Sequence, residues 1–400
     1  MDYARFVPLL EWIAAAGLSG RRELALLQGF CERMVEADVP LTRAVIGVDT
    51  LHPVLEGRVF QWERDAAGPT ESEYGRLDPD SSEDKWLQSP FHRLYESGET
   101  TYRQRLGNEP LPFPVLEELH RRGMTDYVAM VHRFGAEGAI GLMDCTYASF
   151  ATDRPGGFDD GDLAALAFLV PCLAHAIKGA STARIAETLV ETYLGRDAGH
   201  RVLRGHIERG VAERISAVLW FSDLQGFTRI TDTAPPTEII PLLNDYADAI
   251  VSALHGQGGE VLKFMGDGVL GIFDAAAAQD ACHQALDAAD DARRRVAALN
   301  QRRQAGGLPT TRFYLGLHVG DVFYGNIGSV ERLDFTVVGP AVNETSRIAA
   351  MCRSLDQDVL LSSAFAEAAG PSRRRLVSVG RYALRGVQRP QELFTLDPEA

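Results

Sequence analysis

The chain has 400 residues, 46% of them hydrophobic and 24% charged, with a formal net charge of −15. This length and composition fit two soluble globular domains, each able to bury a core. The acidic balance argues against nucleic acid or an anionic membrane surface as a partner, and an anionic substrate would need locally arranged cations. Five scattered cysteines, Cys31, Cys145, Cys172, Cys282 and Cys352, form no Cys-x-x-Cys pair and suit a reducing cytoplasm better than a disulfide frame. Asp2 is followed by no basic-then-apolar segment, so no signal peptide is expected. The longest apolar stretch, Leu163 to Ile177, falls short of a bilayer span and contains Pro171, so no membrane span is expected either.

Residues 5–37 read as two helices. Phe6, Leu9, Leu10 and Ile13 make one stripe, Gly17 to Gly20 break it, and Leu24, Leu27, Phe30, Cys31 and Met34 make a second. Arg43 to Val48 and Arg58 to Trp62 read as strands. Residues 65–85 are polar and acidic and read as a long loop or lid. Trp86 to Ser97 reads as a short helix, Tyr127 to Arg133 and Ala139 to Thr146 as strands, and Asp159 to Ile177 as a closing apolar helix. This order, with Gly141-Leu-Met and Phe158-Asp-Asp-Gly-Asp-Leu163, resembles a GAF or PAS-type sensor domain over residues 1–178. The resemblance implies a pocket between sheet and helices for a small-molecule effector, with Trp62, His92, Tyr127 and His132 as its lining. A ligand-free dimerisation or autoinhibitory module fits the same pattern.

Residues 179–214 read as a helical linker, two amphipathic stretches interrupted at Gly195 and Gly199. After it comes Ala217-Val-Leu-Trp-Phe-Ser-Asp-Leu-Gln-Gly-Phe-Thr228, an apolar buried strand that ends at Ser222 and Asp223. Gly226 frees the backbone to turn, and Thr228 opens a helix. A carboxylate beside such a turn can hold a divalent cation while the free N–H groups hold a phosphate. Taken alone, Asp223 also reads as a turn cap. Glu260 to Phe273 reads as strand, turn, strand, with Gly266, Asp267 and Gly268 at the positive-φ positions of a two-residue hairpin. Asp-Gly is ordinary hairpin chemistry, yet it puts a second carboxylate at the tip of an apolar strand. Phe335 to Val338 reads as a short strand broken by Gly339-Pro340. Asn343 and Arg347 then share one helix face, where Arg347 could also pair with Glu344. Asp280 to Arg303 reads as a long helix, and Arg312 to Val319 and Val322 to Ile327 as a strand pair about Gly320-Asp321. Val359 to Ser362, Leu376 to Val379 and Leu393 to Leu396 read as edge strands.

Together, strand-Asp223-x-x-Gly-Phe-Thr228, Lys263-Phe-Met-Gly-Asp-Gly268 and Val337-x-Gly-x-x-Val-Asn343-x-x-x-Arg347 resemble, in order, the catalytic domain of class III adenylyl cyclases over roughly residues 210–397. The resemblance implies an α+β chain whose residues 215–400 form a ferredoxin-like catalytic domain that works as a head-to-tail homodimer. It further implies ATP as substrate and two Mg²⁺ or Mn²⁺ ions per site on Asp223, Asp267 and the Leu224 carbonyl. The N–H groups of Gln225, Gly226, Phe227 and Thr228 would hold phosphates, Asn343 the ribose, and Arg347 the charge on the reacting phosphoryl group. Lys263 would read adenine N1. Thr336, where many members carry Asp, would read the N6 amine, which places the chain with the Thr-bearing branch. Asp321 stands where many members have a phosphate-binding Arg, so Arg385 becomes the candidate for pyrophosphate. Each site would draw Asp223 and Asp267 from one chain and Lys263, Thr336, Asn343 and Arg347 from the other. A guanylyl cyclase, disfavoured by Lys263, and a non-enzymatic nucleotide-binding scaffold are the alternatives.

Overall fold

A computed structural model describes residues 3–75, 82–107, 110–141, 143–385, 387 and 390–397. The chain forms two compact units, Met1–Leu189 and Val190–Ala400.

The first unit opens with α1 (Val7–Leu18) and α2 (Glu23–Glu36), followed by β1 (Arg43–Asp49), β2 (Leu55–Glu63) and β3 (Thr70–Gly75). Next come α3 (Ser82–Leu87), α4 (Pro90–Ser97), β4 (Thr101–Arg105), α5 (Pro114–Arg121), β5 (Asp126–Arg133), β6 (Cys145–Thr152) and α6 (Asp160–Leu194). The strands form one antiparallel sheet in the order β3-β2-β1-β6-β5-β4. Leu9, Leu26, Phe30, Phe60, Phe150 and Leu169 pack on one face of it, and Leu94, Leu116, Tyr127 and Tyr147 on the other.

Several expectations shift here. The polar stretch 65–85 contains strand β3, an edge strand whose exposed Thr70, Glu71, Ser72 and Glu73 disguise it as loop; residues 76–81 lie outside the described residues. The expected helix Trp86 to Ser97 is two helices, with Pro90 opening the second behind a Ser89 cap. The last strand begins at Cys145 rather than Ala139. Every one of its residues is buried, so it carries no two-residue polar alternation to read. Helix α6 continues through Pro171 for 35 residues. By length and composition it could cross a bilayer, but Leu166, Leu169, Val170, Leu173 and Ile177 are spent on the core of this unit.

The second unit continues with α7 (Arg196–Leu203), β7 (Ala212–Leu224), α8 (Phe227–Thr233), α9 (Pro236–Gly256), β8 (Glu260–Met265) and β9 (Gly268–Asp274). It is completed by α10 (Ala278–Ala305), β10 (Phe313–Gly328), β11 (Leu333–Val338), α11 (Pro340–Leu355), β12 (Val359–Ser362), α12 (Ser363–Ala368), β13 (Leu376–Tyr382) and β14 (Gln391–Leu396). The sheet order is β13-β14-β12-β10-β7-β9-β8, with β11 folded back on β10. On β7, Val218 and Trp220 pack with α9 and α10, while Ala217 and Leu219 face the opposite layer. Packed layers on both faces bury this central strand, whose two neighbours both run antiparallel to it, and its end reaches the sheet rim.

Arg312 to Ile327 is not a strand pair. Strand β10 runs unbroken, and Gly320 pairs with Ala217 and Asp321 with Ser216 in continuous register. Gly320 is required for packing rather than turning: a Cβ there would lie 2.7 Å from the Ala341 Cβ, and one at Gly316 would lie 2.6 Å from the Thr345 carbonyl. The two glycines let α11 lie directly on β10. Strands β12 and β14 are interior, and only β13 of the three late strands is an edge. In the β8–β9 hairpin, positive φ falls on Gly266 (+69°), not on Asp267 or Gly268.

Candidate active site

Strand β7 carries Asp223 to its end, and the two-residue turn between Met265 and Gly268 carries Asp267. The β7–β9 register, with Ser222 opposite Val269, sets the two side by side. The Leu224 N–H donates to Asp267 Oδ2 at 3.3 Å. In an antiparallel ladder a residue's N–H and C=O point the same way, so the Leu224 carbonyl faces this side too. Gly268 sits tightly below: a Cβ there would come 2.7 Å from the Ser222 carbonyl and 3.4 Å from Asp223 Oδ1. Burial, and then the facing Asp267 carboxylate, pushes Asp223 up to about 6. Two carboxylates facing each other without a cation repel, and a divalent ion relieves that repulsion. The donor set, two carboxylates with a carbonyl beside them, is the hard-oxygen set that Mg²⁺ or Mn²⁺ takes while leaving positions for phosphate oxygens. Among the described residues no group of three or more His, Cys, Asp or Glu side chains is placed to hold a metal ion, so such an ion would depend on substrate for much of its shell. Leu243, Tyr246, Ile250, Phe264 and Phe313 line the cleft beside the pair.

Gly226, in the left-handed region at φ +68°, turns the chain into α8. The N–H groups of Phe227 and Thr228 open that helix without a carbonyl partner among the described residues. Gln225 departs from expectation. Its N–H is already given to the Arg312 carbonyl at 2.8 Å. Its side chain donates to Tyr314 Oη at 2.9 Å and accepts from Arg312 Nε at 3.0 Å. Gln225 ties β7 to β10, and its N–H is not available to a phosphate.

Lys263 does not share the Val261 face as simple alternation predicts. A bulge between them gives Val261 to Gly271 and Lys263 to Leu270 in the register, so Leu262 turns into the layer containing Leu219 and Ile272. Lys263 Nζ instead reaches Asp334 Oδ2 on β11, at 2.9 Å. Thr336 lies two residues along the same strand. It is buried, and its Oγ1 has no hydrogen-bond partner. Asp334 was missed in the sequence, although its i,i+2 spacing from Thr336 was the available signal.

On α11, Asn343 is exposed and Arg347 half-buried. Arg347 forms no ion pair with Glu344. Glu344 turns under the helix instead, its Oε1 3.8 Å from Nδ1 of His318, which also meets Ser362 Oγ at 2.8 Å. Burial lowers the His318 pKa, and the Glu344 charge opposes that shift. Asp321 is held by Arg214 at 2.6 Å, and Arg385 is exposed beyond β13. None of Lys263, Thr336, Asn343, Arg347 and Arg385 lines the carboxylate cleft. In the first unit, Trp62 packs on the face that also takes Val128 and Met130. His132 follows those residues by strand alternation. Tyr127 faces the opposite way, and His92 meets Trp86 beside that other face. The four residues expected to line one pocket therefore lie on two sides of the sheet.

Residues 211–397 match the family described as Adenylate and Guanylate cyclase catalytic domain. The second unit carries a class III cyclase catalytic domain. Adenylate cyclase 1 of Rhizobium meliloti (strain 1021) is 32% identical over 165 residues, which is 40% of this chain and 24% of that protein. Adenylate cyclase of Anabaena cylindrica is 32% identical over 163 residues, 39% of this chain and 31% of that protein. The chain thus spans about a quarter to a third of the length of these curated relatives. Among solved structures, the adenylyl cyclase CyaB from P. aeruginosa is 24% identical with a TM-score of 0.42, covering 47% of this chain and 96% of that one. The guanylyl cyclase Cya2 is 29% identical with a TM-score of 0.42, covering 47% and 95%.

Proposed function

We propose that the cyclase domain converts ATP to 3′,5′-cyclic AMP and pyrophosphate at sites shared between two copies of the chain. The observation that carries this reading is the pair Asp223 and Asp267, two carboxylates brought face to face at the rim of the sheet, with the Leu224 N–H on Asp267. Two Mg²⁺ or Mn²⁺ ions held by these carboxylates and the Leu224 carbonyl would supply Lewis acidity to the ribose 3′-hydroxyl and to the departing phosphates. The remaining work belongs to the chain. The N–H groups of Phe227 and Thr228 hold phosphate oxygens at the start of α8, with Gly226 shaping the turn. Arg347, free of any ion pair among the described residues, offsets charge growing on the α-phosphoryl group. Asn343, one helical turn before it, orients the ribose. Nucleophile and phosphorus belong to one molecule, so alignment is the larger part of the catalysis.

Lys263 donates to adenine N1 and has nothing to accept the N1–H of guanine, while the orphaned Thr336 hydroxyl accepts from the N6 amine. The cleft with the carboxylates contains none of these residues, nor Asn343 or Arg347. This favours a homodimer in which each copy completes the other's site. The first unit is read as a GAF/PAS-like regulatory domain for a small effector, and its helix-covered sheet is compatible with that role. All five cysteines are free, which suits a cytoplasmic enzyme.

The test is product formation by purified full chain with Mn²⁺ and either ATP or GTP. Cyclic AMP is expected, with ATP preferred roughly tenfold or more in kcat/KM. Predominant cyclic GTP would make the protein a guanylyl cyclase, and no cyclic product from either would leave a nucleotide-binding scaffold.

A further inference from the structure

We infer that Asp334 is a positioning residue for base recognition, one that holds the Lys263 ammonium beside Thr336 before nucleotide arrives. The inference rests on the base-reading role proposed for Lys263. Lys263 sits just after the β8 bulge, on a strand whose last residues, Phe264 and Met265, are exposed. Its four-carbon stem is flexible, and nothing else among the described residues pairs with its charge. An ammonium free to sample many rotamers loses that freedom on binding a base, and the loss weakens binding. Asp334 removes the cost in advance. Its Oδ2 takes one ammonium N–H at 2.9 Å and leaves the other two for a ligand.

The strand geometry makes this more than a surface contact. Phe335 and Val337 pack into the layer of Leu219 and Leu270, so Asp334 and Thr336 share the opposite face of β11. The carboxylate therefore draws the ammonium to the face where the buried Thr336 Oγ1 still lacks a partner. A fixed donor then sits beside a fixed hydroxyl, which suits the edge of adenine, where an acceptor and an amine lie side by side. Asp334 itself touches Lys263 rather than base. The ion pair is half-exposed and contributes little to folding, so variants at Asp334 fold.

The test uses full-length protein and the non-cyclising analogues 3′-deoxy-ATP and 3′-deoxy-GTP with Mn²⁺, so binding is read apart from chemistry. Asp334→Asn should weaken 3′-deoxy-ATP roughly tenfold and reduce its preference over 3′-deoxy-GTP by a similar factor, and Asp334→Glu should restore most of both. In a Lys263→Met background, Asp334→Asn should change 3′-deoxy-ATP affinity less than about twofold, because the residue acts through Lys263. An unchanged affinity in Asp334→Asn overturns the inference. So does an equal loss with and without Lys263, or wild-type protein that binds both analogues equally. If discrimination follows the expected pattern while ATP yields no cyclic product, the cyclase reading fails and the positioning role stands.

Discussion

Two sets of carboxylates, one in each unit, sit in opposite settings. In the first unit, buried Asp126 takes a two-pronged ion pair from Arg103, at 2.6 Å at its shortest, along with the N–H groups of Tyr127 and Phe158. Buried Asp162 meets Arg154 and the Asp159 N–H, and buried Glu23 meets Arg184 at 3.5 Å and the Ser181 hydroxyl. These are carboxylates neutralised where they stand, and their job ends with the fold. In the second unit Asp223 faces another carboxylate and forms no ion pair with a cationic side chain among the described residues; the divalent ion proposed above would supply that charge. A structure retains an uncompensated charge pair when something else completes it. On the proposed reading, the contrast separates carboxylates that hold the protein together from those that would hold a ligand.

The sharpest break of this contrast is a mixing experiment. Asp223→Ala and Arg347→Ala chains should each lose cyclase activity by about a thousandfold, since each removes electrostatic stabilisation that water cannot replace. Both should remain folded. Co-refolded, they should recover about a quarter of wild-type activity, because half the dimers are mixed and each of those carries one intact site. An inactive mixture whose subunits demonstrably exchange would rule out shared sites. The counterpart in the first unit is Asp126→Ala. It leaves the Arg103 guanidinium and two buried N–H groups without their acceptor and should destabilise that unit by about 3–5 kcal/mol. Denaturant unfolding of the purified variant reads this. If stability is unchanged, the neutralised carboxylate is not structural.

How much of this was legible in the chain follows the same division. The carboxylate pair was readable because each member ends an apolar strand beside a glycine turn, a local signal. Asn343 and Arg347 were readable as one helix face. What escaped depended on pairings made across the sheet. The N–H of Gln225 looked free until β10 came alongside and took it. Gly320 resembled a turn because the cause of its missing side chain, the approach of α11, lies elsewhere in the sequence. Plain two-residue alternation puts Lys263 on the Val261 face, but a bulge between the two restarts the alternation. Asp334 was overlooked for the same reason: its partner became visible only when β8 and β11 met.

The smallest effect concerns stability without divalent ions. The Asp223 carboxyl is lifted from its ordinary value of 3.8 to about 6 by burial and by Asp267. Between about pH 4 and 6 the folded state therefore binds more protons at this position than the unfolded chain does. By linkage, its contribution to stability falls as pH rises through that window and is fully unfavourable above it. Asp223→Asn removes the charge while keeping the shape. The variant should melt a few degrees higher than wild type at pH 7 in chelator, because a half-exposed pair is screened and the relief is on the order of 1 kcal/mol. The gap should close by pH 4, where the wild-type carboxyl is itself protonated. Adding Mn²⁺ should raise the wild-type melting temperature and leave Asp223→Asn little changed, which reverses the order of the two proteins. Asp126→Asn, which leaves Asp223 and Asp267 intact, should keep the wild-type response to Mn²⁺ and should not show the gain at pH 7. If it showed that gain, the distinction between the two kinds of carboxylate would fail on thermodynamic grounds.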